Sequence, residues 1–297
     1  MEQYKTPDRI TPLEHFYLSQ MKAGEYTAVQ VAEAVQKNSN LKDLFSSMDI
    51  IRAGRTICAI TAVSLGINVV KRRRVIGDIG DESFKVGDFY KYILDYQAYK
   101  SSNNPAEYPN GWWVINPTTR DIYHHALIAW AESFGIEALQ VYDFHHIEDF
   151  ESFLKTGGVA IVSVSNRFVK DITTENDSAC FIEKEGKTFM LIENEDGSVI
   201  EREFRQNSHL VTVVEITSQK DVVFMDSFEL KQQKNKNRVR KVSVSVFNQY
   251  LNKGKEKALL LSETKIPINK EKYKVLSCYI PEKVRKLMRE RIQNSHF

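Results

Sequence analysis

The sequence predicts an α+β fold, with helices packed on a twisted, mainly antiparallel sheet. Two observations carry that expectation. Helical signals crowd the first half of the chain, and the second half is dominated by short apolar strands separated by polar turns. Composition supplies a third. In a chain of 297 residues, an apolar fraction of 42% against 27% charged residues is enough to bury a substantial core and argues against disorder. The 41 Lys and Arg nearly balance the 39 Asp and Glu, and a net charge of +2 excludes binding to nucleic acid through overall basicity.

Taken in order, residues 1–45 read as an N-terminal helical extension. Leu13, Phe16 and Tyr17 fall in one helical stretch, and Val29, Val31, Ala32 and Val35 in a second. A main domain is expected over 46–265. Its first element, ICAITAVSLGINVV (57–70), is apolar on every face except at Thr61, Ser64 and Asn68. The β-branched content would suit a strand, but the length favours a central buried helix, against which Gly66 is a modest cost. Residues 84–113 carry Phe84, Phe89, Tyr90, Tyr92, Tyr96, Tyr99, Tyr108, Trp112 and Trp113, and read as a helix followed by a long loop, an aromatic insertion.

Tyr123, Leu127, Trp130 and Phe134 recur at helical spacing, and Gly135 ends that helix. A strand near 136–142 follows, then a helix with Ile147, Phe150 and Leu154 on one face, a stop at Gly157 and Gly158, and the strand VAIVSVS. TFMLIENEDGSVIEREF reads as a hairpin around Asp196 and Gly197. HLVTVVEIT and VVFMDSF then flank the polar turn SQKD, and 266–297 form a C-terminal extension. No apolar run approaches the roughly 18 residues of a spanning helix, and the start lacks a signal-peptide stretch, so a cytoplasmic protein without membrane contact is expected.

Chemistry concentrates on three residues. Cys58 stands at the start of the expected buried helix, where unpaired N–H groups and the helix dipole stabilise a thiolate. His209 opens a strand, and Asp226 ends the next one, so a short antiparallel turn would set them side by side. A lone Cys in an apolar helix or a lone His on a strand is ordinarily structural. The combination fits a nucleophile, a base and an orienting carboxylate. Cys180 and Cys278 have no base in view and read as structural, and three scattered cysteines make neither a disulfide framework nor a zinc site. The pairs His124–His125 and His145–His146 lack the i, i+4 spacing of a helical metal site, so no metal is expected. With no glycine-rich phosphate loop, no cofactor is expected either. The basic runs KRRR (71–74) and KQQKNKNRVRK (231–241) are not interleaved with aromatics and read as solvated loops. The aromatic insertion, with Trp112 and Trp113, either lines a substrate groove or forms a small second core.

Three stretches bear a resemblance to a known family: GWWVINPTTRDIYHHALIAWAESFGIEA (111–138), DFESFLKTGGVAIVSVS (149–165) and HLVTVVEITSQKDVVFMDSF (209–228). With the later VSVFNQYLNKGKEKALLL, they resemble the bacteriocin-processing (double-glycine leader) cysteine peptidases and their stand-alone relatives, from about Arg52 to Leu261. The resemblance implies a papain-like fold and a peptide or protein substrate, cleaved at a peptide or isopeptide bond by a Cys58–His209–Asp226 triad. The chain departs from the family in three places. Ala59–Ile60 follows the nucleophile in place of Gly-Pro, Ser227 follows Asp226 in place of the frequent proline, and Arg52 holds the position of the oxyanion-hole glutamine. The absence of a transporter domain points to the stand-alone branch. Two other classes stay open: an inactive papain-like binding module, and an acyltransferase or amidase on the same triad.

Overall fold

The computed structural model describes residues 12–20, 28–29, 31–33, 36, 57–77, 84–85, 124–168, 171–172, 181–193, 198–203, 208–228, 239–252, 257–267 and 274–276. The aromatic insertion beyond Lys85 lies outside them, as do Tyr123 and the Asp196–Gly197 turn.

Helix α1 (Cys58–Lys71) is buried on nearly every face, from Ile60 through Asn68 and again at Val70. Its buried polar residues are each hydrogen-bonded, Asn68 to the backbone of Val75 and Ile76 just beyond the helix. Thr61 Oγ1 donates to the Ile57 carbonyl at 2.8 Å, and Ser64 Oγ accepts from Trp130 Nε1 at 3.1 Å. Arg72, at φ 51°, closes the helix in the left-handed conformation, its N–H donating to the Asn68 and Val69 carbonyls. The chain then makes β1 (Ile76–Gly77), which pairs in parallel with β2 (Phe84–Lys85), so Phe84 begins the aromatic segment in a strand pairing and not in the expected helix.

Helix α2 (His124–Ser133) packs on α1 through Trp130, which is fully buried and meets the Phe134 ring edge-on at 5.1 Å. Gly135 (φ 70°) turns the chain out of α2 into β3 (Glu137–Tyr142), a conformation that a side chain would strain. The expected single helix over 147–154 is a 3-10 turn, Ile147–Phe150, followed by one α turn, α3 (Glu151–Leu154). The Asp149 carboxylate accepts from the N–H groups of His145 and His146, which tightens the entry and gives this histidine pair a capping position on the surface.

The sheet that follows is antiparallel throughout. It comprises β4 (Val159–Ser165), β8 (Ser208–Ile216), β9 (Asp221–Met225), β10 (Val239–Ser243), β11 (Lys257–Ser262) and β12 (Lys274–Leu276) with β3, in the order β10-β9-β8-β4-β11-β3-β12. The remaining strands, β5 (Phe181–Lys184), β6 (Lys187–Glu193) and β7 (Val199–Glu203), form a separate three-stranded sheet that contains the expected hairpin as β6–β7. Helix α4 (Val244–Tyr250) returns the chain from β10 toward β11, its Ser243 hydroxyl accepting from the Val246 N–H.

Both faces of the seven-stranded sheet are covered. Along β4, Val159 and Ile161 point toward α1 and α2, while Ala160, Val162 and Val164 point toward Phe150, Phe168, Phe224 and Phe247. A strand buried on two sides reads as a continuous apolar run, as Val159–Val162 does before the partly buried Ser163 and Ser165. Gly66 lies where α1 crosses this sheet. A Cβ there would stand 3.0 Å from Leu261 Cδ1 and 3.1 Å from both Ile161 Cδ1 and Val159 Cγ2. The stretches expected as extensions join the same body. Tyr17, Leu18, Ala28 and Val31 are buried in the α1 core, and β12, beyond residue 265, pairs with β3 at the sheet edge. No described helix is long and apolar enough to cross a membrane.

Candidate active site

Three elements converge at the N-terminal end of α1. Cys58 is the first residue of that helix, is half-buried and is a free thiol. Ile57, the N-cap, contributes no side-chain cap, so the first turn of α1 presents backbone N–H groups and the positive end of the helix dipole beside the sulfur. Strand β8 lies across α1, and Thr212 Oγ1 donates to the Ala62 carbonyl at 2.9 Å, fixing strand to helix one turn beyond Cys58. That registration brings His209, second residue of β8, within electrostatic reach of the thiol.

The turn after β8 returns the chain as β9. Lys220 takes φ 61°, its N–H donates to the Thr217 carbonyl, and a bulge between Val213 and Glu215 adjusts the β8–β9 register. Asp226, the residue just beyond β9, thereby reaches His209, with Nε2 and Oδ1 at 2.7 Å and both side chains almost wholly enclosed. Because Nε2 lies against a carboxylate oxygen it carries the proton, which leaves Nδ1 for Cys58. The Phe228 N–H also donates to Asp226 Oδ1, at 2.9 Å, and the Phe228 ring stands edge-on to the imidazole at 6.3 Å.

The electrostatics follow from this enclosure. Burial alone pulls the His209 pKa down, but the Asp226 charge and hydrogen bond, with a smaller contribution from Cys58, outweigh it and push the group up to about 10. Asp226 Oδ2 is buried and has no hydrogen-bond partner among the described residues. The guanidinium of Arg240, on β10, lies within electrostatic reach of the carboxylate. Its own pKa is lowered by burial, an effect opposed by the charges of Asp226 and Tyr17.

Of the sequence-expected residues, His209 and Asp226 are hydrogen-bonded, and Cys58 lies within electrostatic reach of His209. Arg52, Trp112, Trp113, Cys180 and Cys278 lie outside the described residues. Sequence reasoning missed three neighbours. Gln20 bonds Ser227 across 207 residues of chain, Arg240 faces Asp226 from the adjacent strand, and Thr212 registers β8 on α1. Only the last left a trace, as the one polar side chain in LVTVV. The KRRR run is partly structural, since Arg74 Nη2 donates to the Tyr17 carbonyl at 3.3 Å and Lys71 pairs with Glu263 at 3.3 Å.

No protein-family model and no curated protein matches this chain. Among solved structures, it is similar to a crystal structure from Bacillus anthracis, provisionally described as a C39-like peptidase. The likeness spans 71% of this chain and 90% of that one, at 13% sequence identity and a TM-score of 0.37. A likeness of that degree carries no argument about activity, so the functional reading rests on the geometry of Cys58, His209 and Asp226.

Proposed function

We propose that the chain is a papain-like thiol hydrolase that cleaves a peptide or isopeptide bond. The observation that supports this is a single imidazole held between a carboxylate and the thiol at a helix N-terminus. In this reading the Cys58 thiolate attacks the substrate carbonyl carbon. His209, protonated on both nitrogens in the ion pair, gives the Nδ1 proton to the leaving amine as the tetrahedral adduct collapses to a thioester. Water then attacks the thioester, His209 takes its proton, and Cys58 leaves as thiolate. Asp226 keeps Nε2–H oriented and stabilises the imidazolium throughout.

The developing oxyanion is placed against the Cys58 backbone N–H, with Arg52 proposed as a second donor. If Arg52 has that role, Arg52→Ala lowers kcat on the order of 100-fold with KM nearly unchanged. An unchanged kcat removes it from the mechanism.

A thiol-directed electrophile applied to the native chain tests the main reading. Cys58 is expected to label faster than Cys180 and Cys278 at neutral pH, and His209→Ala to abolish that preference. Equal labelling of all three cysteines would leave the triad without a function and favour a binding module.

A further inference from the structure

The segment 12–20 reaches the Asp226 turn and holds it at two points. Gln20 N–H donates to the Ser227 carbonyl at 2.9 Å, and Ser227 Oγ donates to Gln20 Oε1 at 2.8 Å. Gln20 is 2% exposed and Ser227 1%, so water does not compete for either bond. Ser227 is covalently next to Asp226, and the residue beyond it, Phe228, donates its N–H to Asp226 Oδ1. The carboxylate oxygen that accepts the imidazole N–H bond therefore belongs to a three-residue turn whose middle residue is fastened to the N-terminal segment. That segment is itself buried through Tyr17, Leu18 and Ser19, and its Tyr17 carbonyl is held by Arg74 from the end of α1.

We infer that Gln20 and Ser227 are positioning residues that set the Asp226 carboxylate on His209, so that the N-terminal segment is a working part of the site. Within the proposed hydrolase this rests on the triad reading, but the positioning itself is a property of the His209–Asp226 pair and is measurable without turnover. Among the described residues no hydrogen bond holds Asp226 Oδ2, so the hydrogen bonds that fix the carboxylate's rotation are those of Oδ1, with the backbone of 226–228 setting its position and the Arg240 charge acting from the adjacent strand. Freed at Ser227, that backbone can carry Oδ1 away from Nε2. His209 would then lose the charge-assisted bond that offsets its burial.

The test is an NMR titration of the His209 ring in the full chain, with thermal unfolding and Cys58 alkylation measured on the same samples. Four proteins are compared: the native chain, Ser227→Ala, Gln20→Ala and the double variant. Positioning predicts that each single variant lowers the His209 midpoint by about one pH unit, the scale of a weakened charge-assisted bond. The double variant shifts it no further than the larger single, because one bond is lost in all three. A midpoint unmoved in both single variants, even with a lowered Tm, overturns the inference, since Gln20 and Ser227 would then serve stability alone. Fully additive shifts also overturn it. Slow, unselective alkylation of Cys58 in the native chain would defeat the hydrolase reading and leave the titration result standing. Ser227→Ala removes a single oxygen atom, so at least that variant is expected to fold.

Discussion

His209 shows how far a buried residue is governed by its partners. Desolvation opposes its charge, yet attraction to Asp226 and Cys58 raises its pKa from 6.5 to about 10. A raised folded-state value means that the native state binds the proton more tightly than the unfolded chain. The resulting stabilisation is fully present below about pH 6.5, the ordinary His value, and disappears as pH rises through 10. Two outcomes follow. The stability gap between the native protein and His209→Asn is largest at pH 6 and shrinks steadily toward pH 10, as followed by urea unfolding. Peptide turnover, which needs the imidazolium as proton donor, keeps its rate through pH 8 and falls on the alkaline side near pH 10. A His209 midpoint below 7 would contradict both.

At the scale of elements, α1 carries the most information. Asn68 Oδ1 accepts from the N–H groups of Val75 and Ile76 at 2.9 Å each, and Nδ2 donates to the Ile76 carbonyl at 2.7 Å. One buried amide thus satisfies three backbone groups where the chain leaves the helix. Asn68→Ala strands all three, and a loss of about 3 kcal/mol in urea unfolding is expected, with an unchanged m-value. Gly66 makes the complementary point. Helix propensity favours Ala by about 1 kcal/mol, but the new methyl would meet three methyls from β4 and β11 at 3.0–3.1 Å. Those groups sit on two paired strands and cannot all withdraw, so Gly66→Ala is expected to destabilise by about 1 kcal/mol. A gain in stability would show that the sheet yields.

These two residues mark what a sequence does and does not display. The length of α1, the doubly buried run of β4, the Gly135 stop and the β8–turn–β9 unit all come from local patterns, and the last of these sets His209 beside Asp226. The glycine that looked like a cost to helix α1 is required by a crossing that no local pattern encodes. The same holds for the break at Phe150, the strand pairing of Phe84 and the bond between Gln20 and Ser227. Each depends on which distant element arrives alongside.

For the molecule as a whole, the arrangement of the two sheets separates what the site needs from what it does not. The seven-stranded sheet and α1 carry Cys58 and the His209–Asp226 pair, whereas β5, β6 and β7 pair, among the described residues, with one another. The chain leaves the main sheet at Ser165 and returns at Ser208, and those two residues lie opposite each other in the β4–β8 ladder. Excising the small sheet therefore shortens a loop whose ends are already close, and loop-closure entropy changes little. Among the ion pairs of this sheet, Lys184–Glu201 at 2.6 Å and Lys187–Glu203 at 3.8 Å are between partly exposed side chains and contribute roughly 0–1 kcal/mol each. Replacing residues 181–203 by a short Gly/Ser linker should leave one cooperative unfolding transition and the selective electrophile labelling of Cys58. If the small sheet also forms a wall for the substrate, peptide turnover in the excised protein shows a raised KM with kcat retained, because binding lost equally from ground and transition states leaves the chemical step unchanged. Loss of cooperative folding on excision would show instead that the small sheet is integral to the core.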